Sequence, residues 1–481
     1  MTGGPADELV AAGYAWEAAD APWLHAALGL ADLAHGVELA DRDVLPARVR
    51  GPLLGALLDL AAMPAEAVGY DPRDGEPYTS RERHLTQRIG DDAGWLRAGR
   101  TRREAVRTAF RIRVRGQILD LVEDAAGLAA CLADQAERHL GTLMPDYTYL
   151  QQAQPTTFGH YLLSFADPVL RDAMRLFAEF GHVNASPAGS GAANGSRILD
   201  DRDATARVLG FDHAITHTRD AMWQTDPFTH VMAAATSLLL TQDKLAEDLE
   251  IFASAEFGFV ELAEGYGRPS VVMPQKRNPY SLTVVRGTAG VMLGRLTGLT
   301  AVIKTPSARS DNLIYLYGEL PRSLDLAHRT TRLTTGVVRT LEADTARMRG
   351  ALDTAFTQAA DLAELLMWRF GADYRTAHRV VQHAVRQSGA LDAAAIARAA
   401  TEVVSACWSL DDEELRVRLT PEALVASRTG LGGAAPQAVM PMVEGVRDQA
   451  AELSQDAAAR RAALHAAQDA IRARAACLAG R

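Results

Sequence analysis

The sequence has few cysteines and few aromatic residues, and it has no lysine or arginine before Arg42. Its three cysteines, Cys131, Cys407 and Cys477, are odd in number, widely separated and without the spacing of metal ligands. We therefore expect three buried free thiols in a reducing compartment. Because the first 41 residues lack the basic start of a secretory signal, a cytoplasmic location is expected as well.

Two further absences narrow the class of protein. No apolar run approaches the roughly 20 residues that span a bilayer, so no membrane partner is expected. The formal net charge of −10 argues against a nucleic-acid partner, because a nucleic-acid-binding surface must be basic. It does not exclude a locally basic pocket for an anionic small molecule. The remaining composition, 48% hydrophobic and 23% charged residues in 481, is that of a globular chain with two or three domains.

Helical periodicity dominates the chain. Alanine is abundant and only 6% of the residues are aromatic, which favours helices. Long helices are predicted over residues 107–139 and 232–253, and no convincing strand alternation is present, so we predict an all-α fold. The clearest pattern is an apolar seam with steps of three and four, formed by Leu282, Val285, Ala289, Met292, Leu296, Leu299 and Ile303.

This seam predicts assembly of several chains. In a lone subunit its apolar residues would form a large exposed patch, so we expect them to pack in a helix bundle between subunits. The same helix carries four glycines, which cost stability in isolation. They are expected to let neighbouring helices approach closely, and they are Gly287, Gly290, Gly294 and Gly298.

Two glycine-rich segments predict loops. Residues 189–195 have the spacing G-x-G-x-x-x-G, but no strand precedes them and no β-α-β pattern surrounds them. A dinucleotide site is therefore disfavoured, and a turn between helices is preferred. Residues 428–436 predict a second loop near the C-terminus. We expect no cofactor and no metal.

The most informative segment is 269–279, which reads PSVVMPQKRNP. It resembles the signature loop of the fumarase/aspartase/argininosuccinate lyase superfamily, G-S-S-x-M-P-x-K-x-N-P. Members of that superfamily split C–N or C–O bonds beta to a carboxylate, typically releasing fumarate. Pro269 replaces the flanking glycine and Val271 the second serine. The alternative interpretation of the segment is a simple turn.

The resemblance implies catalytic roles for three residues of this loop. Ser270 stands at the position of the base, and a hydroxyl can act as a base only when nearby positive charge and N–H groups stabilise its alkoxide. Lys276 and Asn278 would stabilise the doubly charged aci-carboxylate that forms when the proton leaves. The loop is expected to close over the substrate and exclude water.

Within the superfamily the chain most resembles argininosuccinate lyase, over nearly its whole length. The matching segments are GRTR at 99–102, PDYTYLQQAQP at 145–155, AEFGFV at 255–260, LTP at 419–421 and GGAAP at 432–436. The resemblance implies a three-domain subunit with a central long-helix bundle, and a homotetramer with a twenty-helix core. Expected domains are N-terminal 1–105, central 106–350 and C-terminal 351–481. Active sites would be shared between subunits.

Several functional positions of that family are changed. Where the family has its general-acid histidine, this chain has Tyr149. Where the family has the acidic partner of that histidine, this chain has Thr283. Arg103 replaces the asparagine that binds the fumaryl carboxylate in that family. By equal spacing, the Tyr, Gln and Lys that recognise the leaving group become Ser310, Tyr315 and Gly318. We interpret Ser310 and Tyr315 as substrate-binding residues.

The remaining candidates bind anions or transfer protons. Arg102, Arg103 and Thr148 are expected to bind carboxylates, with Thr101 and Gln154 beside them in the matching segments. Tyr149 would protonate the leaving group, unless that group leaves as a stable anion. Alternatively, Tyr149 only fills space, and one of five histidines replaces the acid: His160, His182, His213, His217 or His230.

The sequence therefore predicts a β-eliminating carbon–nitrogen lyase of the amidine-lyase or ammonia-lyase type. Its substrate would be a substituted succinate or aspartate, and its product fumarate or a related unsaturated acid, in specialised metabolism. One alternative is an authentic argininosuccinate lyase of arginine biosynthesis with a rebuilt acid. The other is a non-catalytic family member that keeps the fold.

Overall fold

The computed structural model describes residues 4–309, 311–353 and 355–481, except for the side chains of residues 311 and 312. Most of these residues are helical, which confirms the predicted all-α class. The α-helices are α1 Asp7–Leu9, α2 Ala15–Asp41, α3 Ala47–Ala62, α4 Ala65–Val68, α5 Pro77–Ile89, α6 Arg102–Arg138, α7 Phe158–Leu163, α8 Ala166–Val183, α9 Arg202–Val208, α10 Thr218–Trp223, α11 Asp226–Phe252, α12 Tyr280–Ile303, α13 Asp311–Thr340, α14 Thr345–Ala351, α15 Ala359–Phe370, α16 Tyr374–Ser388, α17 Ala393–Val404, α18 Asp412–Arg418, α19 Pro421–Ser427 and α20 Pro436–Ala479.

Short 3₁₀ and π segments and paired strands connect these helices. The π-helix is Val10–Tyr14, and the 3₁₀-helices are Pro72–Asp74, Gly90–Arg97 and Glu264–Tyr266. The strands are β1 Leu143–Thr148, β2 Gln151–Thr157, β3 Ala185–Ser186, β4 His213–Ala214, β5 Val260–Glu261, β6 Arg268–Pro269, β7 Arg277–Asn278 and β8 Glu342–Ala343. They form four two-stranded pairs: β1–β2, β3–β4, β5–β8 and β6–β7.

The centre of the subunit is a bundle of long helices. Helix α6 packs against α2, α8, α13 and α20, and α12 packs between α11 and α13. Along α6, Phe110, Ile118, Val122 and Leu128 are completely buried. The helices predicted over 107–139 and 232–253 lie in α6 and α11. An apolar surface on several faces of a helix requires neighbours on several sides, and the bundle supplies them.

The seam on α12 does not face a second subunit, so that part of the sequence interpretation was wrong. Leu282, Val285, Ala289 and Met292 are at most 2% exposed within one chain, because α11 and α13 cover this face. The four glycines lie on the opposite, exposed side, and a Cβ on any of them would meet no atom of the described residues within 4 Å. The periodicity identified the buried face correctly but not the helices that bury it.

The expectation of no strands also requires a correction, because β1 and β2 form a real antiparallel hairpin. The pairing runs from Leu143 opposite Thr157 to Thr148 opposite Gln151. A two-residue turn joins the strands, and Tyr149 and Leu150 both have positive φ, 55° and 57°. Positive φ at both turn residues is the requirement of the type I′ hairpin turn.

Two separate clusters of buried apolar residues hold the subunit together. The larger one includes the central bundle and also α20, through Val439, Val443 and Val446. The smaller one lies in α15 to α18, around Leu366, Val380 and other residues. The domain limits 1–105, 106–350 and 351–481 stay predictions.

The cysteine prediction was partly wrong. Cys131 is a buried free thiol on α6, as expected, but Cys407 and Cys477 are exposed. They lie on a loop after α17 and near the end of α20, where a small thiol needs no apolar cover. Within the described residues, no helix combines the length and the apolar character needed to cross a bilayer.

Candidate functional site

The N-terminus of α6 is held in place by a glycine-rich loop. Thr101 caps the helix, since its Oγ1 accepts a hydrogen bond from the Glu104 amide at 3.3 Å and donates to the Gly191 carbonyl at 3.2 Å. The buried Glu104 carboxylate accepts a bond from the Gly189 amide at 2.7 Å. Residues 189–195, predicted to be a turn, thus support the segment that presents Arg102 and Arg103.

A buried ionic network anchors the same segment to α2. The carboxylate of Asp32, 1% exposed, accepts bonds from Arg100 at 2.7 Å, Arg81 at 3.0 Å and the Tyr78 hydroxyl at 2.7 Å. Burial alone would raise the pKa of Asp32, but Arg100, Arg81 and the hydrogen bonds hold that pKa below its usual value. Two arginines on one carboxylate tie α5 and the segment before α6 to α2.

One cavity of the subunit has a volume of about 480 Å³, and we call it the α2–α6 cavity. Arg102 and Arg103, both predicted to bind substrate, line it from α6. Arg102 donates to Thr79 Oγ1 at 2.8 Å and pairs with Glu76 at 3.1 Å. Glu17 and other groups that the sequence did not indicate also line the cavity; the others are Tyr14, Asp20, Asp74, Glu76, Tyr78 and Tyr317.

Two carboxyl groups in the cavity have shifted pKa values. Burial, with a contribution from nearby Glu76, raises the pKa of Glu17 to about 7, against the opposing field of Arg103. Burial also raises the pKa of Asp20, although Arg322 pulls it down. Carboxyl groups with raised pKa values in a cleft are candidates for a functional role.

The residues predicted to recognise the leaving group lie next to this cavity. Tyr315 is 42% exposed and packs edge-on against Trp16, with ring centroids 6.1 Å apart. Gly318 has no side chain, and a Cβ there would overlap the Asp20 carboxylate. Asp20 therefore fills the space in which a side chain at position 318 would begin. Ser310 lies outside the described residues.

The signature loop projects between β6 and β7. Ser270 Oγ accepts hydrogen bonds from the amides of Met273 at 3.0 Å and Val272 at 3.3 Å. The loop closes through the Ser270 amide, which donates to the Lys276 carbonyl at 3.1 Å. Two N–H groups directed at one oxygen stabilise negative charge on it, which is the condition for a serine base.

The cations and amides of this loop are available to a ligand. The Lys276 side chain is exposed and forms no ion pair within the described part of the chain. Asn278 Nδ2 donates to the Arg268 carbonyl at 3.1 Å, which leaves its second N–H for another acceptor. Asn278 also lines a cavity of about 520 Å³ beneath the loop. Val271 and Val272 are almost fully exposed at the loop tip.

The hairpin places its three candidates in solvent. Thr148 and Gln154 are exposed, and Tyr149 is 99% exposed at the turn. The hairpin base is anchored by Tyr147, whose ring packs against Phe252, Phe257 and Phe259. No contact within the described chain directs Tyr149 to either cavity.

Thr283, which replaces the acidic partner, is hydrogen-bonded elsewhere. Its hydroxyl donates to Glu250 at 2.8 Å, and Arg286 pairs with the same carboxylate at 2.8 Å. The five alternative histidines line neither of the two cavities within the described residues. His160, for example, bonds Thr156 and the Gly432 carbonyl, each at 3.0 Å. The structure thus offers no histidine in place of the lost acid within these cavities of one chain.

The predicted residues therefore form three groups on one chain. Arg102 and Arg103 line the α2–α6 cavity, with Thr101 next to them in the chain and Tyr315 nearby. Thr148, Tyr149 and Gln154 lie on the hairpin, and Ser270, Lys276 and Asn278 on the signature loop. Neither cavity of the described residues brings two of these groups together.

Comparisons with known proteins place the chain in a family. A family profile described as lyase matches residues 53–294. The argininosuccinate lyase of Methanoculleus marisnigri is 34% identical over 431 residues, covering 89% of this chain and 87% of that protein. The argininosuccinate lyase of Natronomonas pharaonis is 35% identical over 413 residues, covering 85% and 82%.

Solved structures agree with this placement. A variant of EDDS lyase with bound fumarate superposes with a TM-score of 0.88 at 26% identity, covering 100% of this chain and 97% of that one. A class II fumarase from Schistosoma mansoni has a TM-score of 0.71 at 12% identity, with 83% and 90% covered, and shares the fold. The chain belongs to the lyase family of the fumarase/aspartase superfamily, among the relatives of argininosuccinate lyase.

Proposed function

We propose that this protein is a carbon–nitrogen lyase that eliminates an amine from an N-substituted aspartate and releases fumarate. The observation that carries the proposal is the signature loop. It holds Ser270 Oγ between two backbone N–H groups at 3.0 and 3.3 Å. The same loop presents Lys276, which forms no ion pair with any residue that the structure describes. A base and a cation so placed suit the removal of a proton next to a carboxylate.

The reaction balances with these residues. The Ser270 alkoxide takes the proton from the carbon that bears the second carboxylate. The electron pair moves into that carboxylate, where Lys276 and Asn278 stabilise the developing negative charge. The pair then returns to form the C=C bond as the C–N bond breaks. The nitrogen leaves with the bond electrons and takes a proton from Tyr149 or from solvent.

The separation of the three residue groups on one chain supports a site built from several subunits. In this proposal, Arg102, Arg103 and Thr148 bind the carboxylates of the substrate, with Gln154 near Thr148 on the hairpin and Thr101 holding the start of α6. They come from two groups that lie apart in the monomer. We propose a cytoplasmic homotetramer with shared active sites, which would bring the hairpin of one subunit to the signature loop of another.

The substrate panel should include argininosuccinate, because relatives 34–35% identical carry that name. Two features of this chain argue for a different leaving group. Asp20 occupies the space beside Gly318, and Tyr315 packs against Trp16. We therefore expect slow turnover of argininosuccinate and faster turnover of another N-substituted aspartate.

The first prediction tests the base. Purified protein is incubated with argininosuccinate and a panel of N-substituted aspartates, and fumarate is followed by its absorbance. Ser270→Ala should lower kcat by at least about 10²-fold, the usual effect of losing a positioned base. Ser164→Ala, an exposed serine on the turn after α7, is the matched control and should keep full activity.

Two outcomes would contradict the proposal. If Ser270→Ala keeps activity within a few-fold of the wild type, the serine is not the base. If the intact oligomer releases no fumarate from any compound of the panel, the chain is a non-catalytic member of its family.

A further inference from the structure

The α2–α6 cavity contacts both parts of the substrate that the leaving nitrogen would join. Arg102 and Arg103, expected at the substrate carboxylates, line it from α6. Tyr317 lines it from α13, within the segment expected to recognise the leaving group. Glu17 lines the same cavity from α2. A proton donor on this wall would therefore lie near the nitrogen of a bound substrate.

Glu17 differs from the other carboxyl groups of this cavity. The other three each have an arginine partner, and these pairs are Asp20–Arg322, Asp74–Arg83 and Glu76–Arg102. Glu17 forms no ion pair with any residue that the structure describes. The three paired carboxylates are committed to contacts within the protein, whereas Glu17 is available to a ligand.

The surroundings of Glu17 favour its protonated form near neutral pH. Burial raises its pKa to about 7, and the negative charge of Glu76 adds to that shift. Arg103 acts in the opposite direction, so it would stabilise the carboxylate once the proton has left. A carboxyl group that holds a proton near neutral pH and can also release it has the property of a general acid. The other ionisable groups that line the cavity are Tyr14, Asp20, Asp74, Tyr78, Arg102 and Tyr317.

The other candidate donors in or near the cavity are less suited to this role. Among the described residues, its lining contains no histidine and no lysine. The Tyr78 hydroxyl already donates to Asp32 at 2.7 Å, and burial raises the pKa of Tyr317. Tyr149 is 99% exposed on the hairpin and does not line this cavity.

The rest of the wall suits an apolar substituent on the leaving nitrogen. Leu24, Leu28 and Val106 supply apolar surface, and the rings of Tyr14 and Tyr317 line the same cavity. When such a substituent is aromatic, the nitrogen of the substrate is uncharged near neutral pH. An uncharged nitrogen departs readily only if it receives a proton as the C–N bond breaks. An alkylamine nitrogen, by contrast, can enter the site already protonated.

We propose that Glu17 is the general acid that protonates an uncharged leaving nitrogen, in place of Tyr149 or solvent. This inference rests on the proposed function, because it assigns one step of the same reaction. As the C–N bond breaks, its electron pair passes to the nitrogen, which takes the proton from the Glu17 carboxyl group. Glu17 is left as a carboxylate beside Arg103 and regains a proton from solvent. The proton removed from carbon leaves through Ser270.

The test measures fumarate release from N-arylaspartates whose para substituent is methoxy, hydrogen or nitro, so that the departing amine becomes steadily less basic. Glu17→Gln should lower kcat by at least about 10²-fold for the methoxy compound and by less than about tenfold for the nitro compound, because a poorer base depends less on the acid. The ratio of the wild-type kcat to that of Glu17→Gln should fall by about tenfold between pH 6.5 and pH 8.5, since Glu17 loses its proton over that range. Glu8→Gln, which changes an exposed carboxylate outside the cavity, is the control and should keep the wild-type kcat.

The outcomes separate this inference from the proposed function. A purely structural role would lower kcat by the same factor for all three compounds at every pH, and that result would overturn the inference while the lyase activity stands. An unchanged kcat in Glu17→Gln would do the same, as would these leaving-group and pH effects in Tyr149→Phe instead. Release of fumarate from N-alkylaspartates but from no N-arylaspartate would also overturn it. If the wild type releases no fumarate from any compound, the proposed function and this inference both fail.

Discussion

At the scale of single residues, Glu104 connects folding to pH. It is completely buried, and burial raises its pKa to about 7 despite the bond from the Gly189 amide. The folded chain therefore keeps a proton on Glu104 that the unfolded chain loses above about pH 4.5. The stabilisation that this proton confers is complete below that pH and is lost as the pH rises through about 7. It contributes up to about 3 kcal/mol to the free energy of unfolding.

Glu104→Gln should remove this pH dependence, because the amide has nearly the same shape and cannot ionise. Between pH 5 and pH 8.5 the apparent Tm of the wild type should fall by several degrees more than that of the variant. Both are measured at one protein concentration, since assembly also shifts Tm. Glu452→Gln changes an exposed carboxylate on α20, and its Tm should show the same pH dependence as that of the wild type. Parallel curves for wild type and Glu104→Gln would show that Glu104 is ionised in the fold.

The residues of the candidate site differ in how far the sequence could predict them. Ser270, Lys276 and Asn278 stand in one continuous pattern, so the sequence alone places them on one loop, and their catalytic roles stay predictions. Glu17 and Asp20 reach the cavity only because α2 packs against α6, more than 80 positions away in the chain. No local pattern marks such residues, since an acidic pair three positions apart on a helix is usually a solvated face.

At the scale of elements, the β1–β2 hairpin contains a strained turn. Leu150 has a φ of 57°, a region that is unfavourable by about 1–2 kcal/mol for a residue with a Cβ, and less so for asparagine. Leu150→Asn should therefore raise stability by about 1 kcal/mol. Its side chain is 59% exposed, so little apolar burial is lost.

A calorimetric scan of Leu150→Asn against the wild type measures this gain. Leu431→Asn is the matched control, because Leu431 is fully exposed in a loop and does not have positive φ. Stabilisation in Leu150→Asn alone supports strain at the turn. An unchanged or lower Tm in Leu150→Asn would mean that the positive φ of Leu150 does not destabilise the hairpin.

The sequence predicted the long helices well and the hairpin not at all, for a physical reason. A helix of 27 or 37 residues repeats its apolar period many times, as α11 and α6 do. The hairpin strands contain Pro145 and Pro155 opposite each other and mostly polar residues, so they show no alternation. Their pairing depends on the turn and on the aromatic anchor around Tyr147, which are tertiary features.

At the scale of the whole molecule, the exposed face of α12 indicates how subunits assemble. Val284, Val291 and Leu293 are 36–50% exposed beside the glycine stripe, and the true seam is covered within the chain. Single exposed apolar residues are common, but a helix face that combines them with glycines lets another helix pack closely. In the proposed tetramer this face, and not the seam, forms the subunit contact.

Val291→Arg tests this assignment, because an arginine on the close-packed face would bury an unpaired charge. Light scattering should give a mass of about four times 51.7 kDa for the wild type and less for the variant. Val417→Arg, at a 60% exposed valine on α18, should keep the full mass. A full-size Val291→Arg oligomer would place the subunit contact elsewhere.

The same variant also tests whether the active site is shared. Ser270→Ala and Arg102→Ala subunits are each expected to be inactive, because each lacks one group of the site. Mixed and reassembled, they should regain part of the activity, since some sites then combine an intact signature loop with an intact α2–α6 cavity. With Val291→Arg in both subunits, mixing should restore nothing. No recovery when the two variants are mixed without Val291→Arg would mean that one chain completes the site alone. The monomer argues against that outcome, because it keeps the signature loop and the α2–α6 cavity apart.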